Sequence, residues 1–414
     1  MIGKIMKWIA LVLIVSIIGI AIYFAVGYAV KTKILELKIG SKGVKMQKNE
    51  WREFDLNNVP GETPGSLFSS RKKVNPIYKY RLELMYPFDG KVGFFGGSDR
   101  EQVHEECFNA KISDRYCDEK NETAYLFRTI DDGKTFTRAS FGHGIAQEIK
   151  EIDGVYFLKV FEADTWRYRT YRSDDLGRTW KEIGKFYIEE IFTKDRFIYT
   201  VVKSITIGKR EYSYYYTKDG GKTANKLSEE LQDLLLNESY SHTTHNGKLV
   251  VYQNGHLLYI DMDTNKTQTK EIEIPQKTTF RSINVDKKSN ELYLKLMNHD
   301  AKEINRYRMS IYYPFSDTHV EFDEDGKIFP NKDVFLTYVD DDYIGAFVRY
   351  KGILTHIWTM NKGEKWDFEV LPHYFWNTAF TKVGNKRIYM EAIVQAKKGV
   401  ENGSYLIIGK IKTK

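Results

Sequence analysis

Two of the 414 residues are cysteine and eight are proline. Cys107 and Cys117 can therefore pair with nothing but each other. Their C-x₉-C spacing, with only His104 close by, lacks the ligand spacing of a metal site. With little proline, 42% hydrophobic residues and 14% aromatic ones, the chain is too apolar for a disordered protein and long enough for a large core. Neither sign of charge dominates, since 63 Lys and Arg face 56 Asp and Glu. Five of those basic residues and one acidic residue lie in residues 1–40, which leaves 58 against 55 beyond. That balance excludes the basic footprint of a nucleic-acid binder. No glycine-rich phosphate loop, Ser-His-Asp signature or nucleophile elbow occurs, so no motif calls for a cofactor.

Long hydrophobic runs are scarce too, and one stands out. Trp8–Val30 contains no charge over 23 residues. At 1.5 Å per residue a helix of that length crosses a hydrocarbon core about 30 Å thick. A cleaved signal peptide has a shorter apolar region, and no small-x-small site follows before Lys31. The run therefore predicts a retained transmembrane helix with a cytoplasmic N-terminus and the rest of the chain in the periplasm or extracellular space. In such an oxidising compartment Cys107 and Cys117 are expected to form a disulfide.

Beyond the anchor, strand-like aromatic runs are joined by polar turns. Ser173-Asp174-Asp175-Leu176-Gly177-Arg178-Thr179-Trp180 separates two of them, with Asp to bond its own backbone and Gly to supply positive φ. Thr129-Ile130-Asp131-Asp132-Gly133-Lys134-Thr135-Phe136 repeats the pattern 44 residues earlier, and Thr217-x-Asp219-x-Gly221-x-Thr223 repeats it 44 later, without the aromatic. Asp261–Thr267 and Thr359–Trp366 are degenerate copies. The eight-residue pattern resembles the Asp-box of sialidase-like β-propellers, where it closes the turn between the third and fourth strands of a blade. The resemblance implies a structural role for Thr129, Asp131, Gly133, Thr135, Phe136, Ser173, Asp175, Gly177, Thr179, Trp180, Thr217, Asp219, Gly221 and Thr223. A repeat in the forties is also the period of a four-stranded propeller blade.

A second series of turns is independent of the box: Asp89-Gly90, Asp153-Gly154, Lys194-Asp195, Asn246-Gly247, Asp286–Ser289, Asp340–Asp342 and Gly384-Asn385. Each precedes a run of strand type, such as Val155–Phe161 or Leu249–Tyr252, read as an inner strand. The expected fold is all-β: a seven-bladed propeller over residues 76–414, with six blades the alternative, behind an anchor segment 1–40 and a linker 41–75. Within the linker, Trp51–Leu56 alternates at strand period and is the expected ring-closing strand. Ser228–Leu236 is the expected helix, capped by Ser228.

Sialidases hold a carboxylated sugar with three arginines, the first in an Arg-Ile-Pro stretch. None occurs here, and the region reads Tyr78-Lys79-Tyr80-Arg81-Leu82-Glu83-Leu84. The resemblance thus covers the scaffold and not a catalytic set. His242 and His245 fall on opposite faces of a strand, and Asp340–Asp342 and Asp323–Gly326 read as solvated turns, so no metal ligands or catalytic residues are assigned. Asp164–Arg169 mixes carboxylate, arginines and aromatics in a connection between strands, as binding loops do. The expectation is a membrane-anchored, non-catalytic propeller that binds a protein partner. Its sharpest form is a bacterial immunity protein neutralising a toxin in the periplasm. A glycoside hydrolase with other carboxylates, or an assembly factor for a membrane complex, is the alternative.

Overall fold

In the computed structural model, β-branched and aromatic runs become strands, and the Asp, Asn and Gly positions between them become turns. The structure describes residues 45–46, 50–55, 80–86, 92–99, 122–162, 165–206, 209–237, 240–286, 289–299, 307–322, 333–340, 343–350, 353–371, 378–384, 387–394 and 403–410. Trp8–Val30, Cys107, Cys117, Asp89-Gly90 and Asp323–Gly326 lie outside them. Among the described residues no helix is long and apolar enough to cross a membrane.

Two short strands open the described chain, β1 (Lys45–Met46) and β2 (Glu50–Asp55). The first full sheet is β3 (Tyr80–Tyr86), β4 (Gly93–Asp99), β5 (Thr123–Thr129) and β6 (Thr137–His143), each hydrogen-bonded to the next. The second follows the same order: β7 (Ile145–Ile152), β8 (Val155–Glu162), β9 (Arg167–Ser173) and β10 (Lys181–Gly184). So does the third: β11 (Tyr187–Thr193), β12 (Arg196–Thr206), β13 (Lys209–Thr217) and β14 (Asn225–Lys226). The fourth is β15 (Ser241–His245), β16 (Lys248–Gln253), β17 (His256–Asp261) and β18 (Lys266–Glu271). The fifth is β19 (Thr278–Val285), β20 (Leu292–His299), β21 (Tyr307–Tyr313) and β22 (Thr318–Glu321).

The last two sheets borrow strands from the start of the chain. In the sixth, β23 (Asp333–Asp340), β24 (Tyr343–Tyr350), β25 (Ile353–Thr359) and β26 (Trp366–Val370) gain β1, parallel to β26. In the seventh, β27 (Thr378–Gly384), β28 (Arg387–Val394) and β29 (Gly403–Lys410) are completed by β2, antiparallel to β29 with Trp51 opposite Gly409. Both additions cover strand edges that would otherwise expose unpaired backbone groups.

First strands meet first strands: β3 packs on β7, β11 on β15, β15 on β19, β23 on β27, and β27 returns to β3. The chain is a β-propeller. The runs that the sequence marks as inner strands, such as Val155–Phe161, are the second strands of their sheets, and the strand before each turn is the innermost. The apolar runs pointed to the second strands because both faces of a second strand are covered by neighbouring sheets. Leu249, Val250, Val251 and Tyr252 are buried in succession, whereas β18 is exposed along its whole length.

Cores lie between adjacent sheets. Phe94 and Leu126 of the first sheet pack with Tyr156 and Leu158 of the second, and Ile198 and Tyr216 of the third pack with Leu249 and Val251 of the fourth. Each such side chain contributes about 1.5–3 kcal/mol on burial. The third sheet ends in the two-residue β14, which leaves its outer part narrow. Helix α1 (Glu229–Leu236) fills that place, burying Leu235 against the third and fourth sheets. Ser228 caps it, its hydroxyl accepting from Leu231 N at 3.4 Å.

Candidate functional site

Because every sheet is an antiparallel meander, its turns alternate between the two ends of the ring. One end carries the turns between first and second strands and those between third and fourth, none longer than the 130–136 turn. At the other, the strand ends are separated by longer stretches of sequence, such as 227–240. The two ends are therefore unequal.

Sequence-predicted site residues occupy the tight end. Thr129, Ser173 and Thr217 each donate a hydroxyl proton to the Asp two residues on, at 2.8–2.9 Å, and accept the backbone N–H of Gly133, Gly177 or Gly221 at 2.8–3.0 Å. Asp131, Asp175 and Asp219 accept both the N–H and the hydroxyl of Thr135, Thr179 and Thr223. Burial pushes the Asp175 and Asp131 carboxyls up, but these hydrogen bonds outweigh it and hold both at about 2. Hydrogen bonds from Thr223 do the same for Asp219. The aromatic that closes the pattern packs inward: Trp180 stands edge-on to Phe94 and Phe141, and Phe136 edge-on to Phe95.

Of the degenerate copies, Thr359–Trp366 keeps the network, with Asn361 Oδ1 accepting from Thr359 Oγ1 and Lys365 N, both at 2.9 Å. The Asp261–Thr267 copy does not. Its first position is Asp261, whose carboxylate caps the turn itself by accepting from Asp263 N at 2.9 Å and Thr264 N at 3.0 Å. Asp263 is thereby released to the third sheet, where it meets Arg196 at 2.6 Å, Lys218 at 2.8 Å and the Tyr216 hydroxyl at 3.0 Å.

These turns are structural in their contacts. Replacing Asp175 by Ala is expected to cost about 1–2 kcal/mol in denaturant unfolding, as other lost caps do, while partner binding is unchanged. With folded pKa values below the unfolded ones, the three carboxylates stabilise the fold above pH 4, and that support is lost as pH falls towards 2.

The opposite end has a different construction. Among the described residues six first strands change register along their length, between Leu82 and Leu84, Ala146 and Glu148, Ile188 and Glu190, Phe280 and Ser282, Val334 and Leu336, and Thr378 and Phe380. Such bulges re-aim side chains at the mouth of the ring. The extra residue is polar in four of them: Glu83, Gln147, Glu189 and Arg281.

Around the Glu189 bulge the inner strands of three sheets share a charged cluster. Lys150 on β7 donates to Ile188 O at 3.0 Å and to Glu189 O, and lies 3.8 Å from Glu148. The Glu189 carboxylate accepts the Thr200 hydroxyl at 3.0 Å. Glu190 faces His242 on β15, Oε1 to Nε2 at 3.5 Å. Burial raises the Glu190 carboxyl to about 7; Lys150 opposes that, and Glu189 and Glu148 add to it. Burial, with Lys150 nearby, lowers His242 to about 4. At neutral pH, His242 is uncharged, and the Glu190 carboxyl is held well above the usual carboxylate range.

The same end carries an aromatic ledge. Trp166, 41% exposed at a left-handed turn position with φ +55°, packs edge-on against Phe161, which leans on Tyr168. Tyr168 meets Tyr187 of the next sheet at 5.1 Å between ring centres. The sequence had marked Asp164–Arg169 for its mixed composition. Of these, Arg169 is a structural clamp, paired with Glu162 at 2.6 Å and donating to Phe141 O and His143 O, and Asp164 lies outside the described residues.

His245 is separate from His242: its Nε2 donates to Asn290 O at 2.9 Å. Among the described residues no group of three potential ligands converges for a metal ion. Glu189, Glu190 and Lys150 were missed because they sit at strand period in amphipathic runs, and their meeting depends on register and on neighbouring sheets.

No family model matches the chain, and no curated protein matches it by sequence. Among solved structures it is similar to the polysaccharide lyase Uly1, at TM-score 0.43 and 10% identity, over 89% of this chain and all of that one. It is also similar to a post-proline cleaving enzyme from Rickettsia typhi, at TM-score 0.46 and 12% identity, over 79% of this chain and 51% of that one. The β-propeller domain of the Trilobed protease from Pyrococcus furiosus aligns at TM-score 0.48 and 8% identity, over 79% and 94%. The chain spans about half the length of the post-proline cleaving enzyme.

Proposed function

We propose that this chain is a membrane-anchored, non-catalytic propeller that binds a protein partner at the end of the ring opposite the tight turns. The inequality of the two ends carries the reading: tight turns join the strands at one, and at the other the intervals between strands are longer, the inner strands bulge and Trp166 is exposed. Binding surfaces concentrate on loops held by a rigid scaffold, and tryptophan, tyrosine and arginine are the side chains that dominate them. In this reading the seven sheets are seven blades of one ring, related to the Asp-box propellers, and Trp8–Val30 tethers it with the ring outside the cytoplasm. Neutralising a toxin that reaches the periplasm is the role such a tethered binder suits best.

The test uses the full chain, solubilised in detergent and immobilised, as bait in an extract of its native host. A captured protein should be lost with Trp166→Ala. It should be kept with Ile130→Ser and Met360→Ser, which alter exposed residues of box turns at the opposite end. Loss with the latter pair and not with Trp166→Ala overturns the assignment.

One observation favours a hydrolase instead, the buried Glu190 carboxyl 3.5 Å from His242, raised by burial and by Glu189 and Glu148. A carboxyl near 7 is suited to general acid catalysis. Glycan turnover that vanishes in Glu190→Gln would put this reading in place of the first.

A further inference from the structure

Lys159 interrupts the apolar run of β8. Its ammonium lies 4.6 Å from the ring centre of Tyr168 and 4.0 Å from that of Tyr187, between the second and third sheets. Tyr168 continues through Phe161 to the exposed Trp166, so the cation sits at the inner end of the aromatic ledge. Arg167 and Lys185, both exposed, belong to the same end of these two sheets.

The two tyrosine faces hold the positive charge but satisfy none of the three N–H donors well. Among the described residues Lys159 makes no hydrogen bond or ion pair. Burial lowers its pKa, with Lys150 adding to that, while Glu148, opposite it on β7, and Glu189 oppose the shift without forming an ion pair with it. The other acids of the neighbourhood are taken: Glu162 and Glu182 face Arg169 at 2.6 and 3.9 Å. A half-buried cation with unused donors needs an acceptor, and leaving it without one is costly.

We infer that the ledge receives an aspartate or glutamate side chain of a protein partner, with Lys159 as its counter-ion and the rings of Tyr168, Tyr187 and Trp166 against the adjoining apolar part. The inference rests on the partner-binding reading above and names the chemistry of that partner. One ammonium between aromatic faces matches one singly charged carboxylate. A phosphate or sulfate would keep oxygens that this single ammonium between two rings cannot satisfy.

The probe is a displayed library of random dodecapeptides, selected on the full chain in detergent. Recovered peptides should carry Asp or Glu next to an apolar residue. Their affinity should fall about thirtyfold or more with Lys159→Met, fall much less with Lys159→Arg, and weaken with Trp166→Ala. Lys159→Met removes a buried charge, so its thermal midpoint should not drop, and the thermal scan checks that folding is not the cause. Peptides that need Trp166 but tolerate Lys159→Met, or that lack an acid, overturn the inference and leave the binding end in place. Peptides indifferent to both substitutions, or no peptides at all, remove the binding end as well. Displacement of the peptides by free sialic acid or inorganic phosphate at similar concentration reassigns the ledge to a small anion and also overturns the inference.

Discussion

Gly177→Ala is expected to lower the unfolding free energy by about 2–5 kcal/mol, more than loss of the Asp175 carboxylate in the same turn. Two effects add. Gly177 has φ +76°, where any Cβ is strained by about 1–2 kcal/mol. A Cβ built there also falls 2.4 Å from both Cε1 and Cζ of Phe94, a ring that is fully buried and wedged against Tyr156 and Trp180. The ring cannot swing away without disturbing the core between the first two sheets, so over-packing contributes a further 1–3 kcal/mol or so. Gly247→Ala separates the terms. It has φ +73° and nothing within 4 Å of the added carbon, so it carries the backbone strain alone. Urea unfolding of both variants decides the matter, and equal costs would show that Phe94 yields freely.

His356→Phe is expected to destabilise the protein by about 1–3 kcal/mol at pH 7 and to remove most of that deficit by about pH 5. His356 is fully buried on β25, stacked between Phe347 and Trp358, with its Nε2 2.5 Å from the Tyr338 hydroxyl. Phenylalanine keeps the stack and leaves that hydroxyl without this partner, which sets the cost at neutral pH. Burial lowers the imidazole to about 3, so the folded state holds it neutral while the unfolded chain protonates near 6.5. A depressed folded pKa contributes stability above the unfolded value and loses it as pH falls, at about 1.4 kcal/mol per pH unit for one proton. The wild-type protein should lose this support from pH 6.5 downwards, and the variant should not. His242, lowered, and Glu190, raised, act with opposite signs in the same range. Both are present in wild type and variant and cancel in the comparison. Parallel pH–stability curves for the two proteins would show that His356 is not held neutral by the fold.

Much of the propeller could be read from local chemistry. The repeated turns are self-contained: Ser173, Asp175, Gly177 and Thr179 satisfy one another within a seven-residue span, so the pattern and its function as a turn travel together in the sequence. The second strands were visible because burial on both faces makes a continuous apolar run, and α1 because Ser228 and two glutamates mark its start. The failure at Asp261–Thr267 is equally local in origin: an Asp in the first position satisfies the turn alone, and the residues that follow are released to other partners.

The end opposite the tight turns was a matter of register and of neighbours. Glu189 is an ordinary polar residue of an alternating strand until a bulge displaces it against β12, and Glu190 acquires its raised pKa from burial between sheets whose strands are some 40 to 50 residues apart in sequence. Lys159 reads as a lone charge in an apolar run; the rings that enclose it come from two different sheets. Burial and proximity across a sheet gap are properties of the closed ring, and no single stretch of residues encodes them. Local hydrogen bonding thus wrote the turns and strands into the sequence, while the geometry of packed sheets chose which charged and aromatic side chains meet at the mouth.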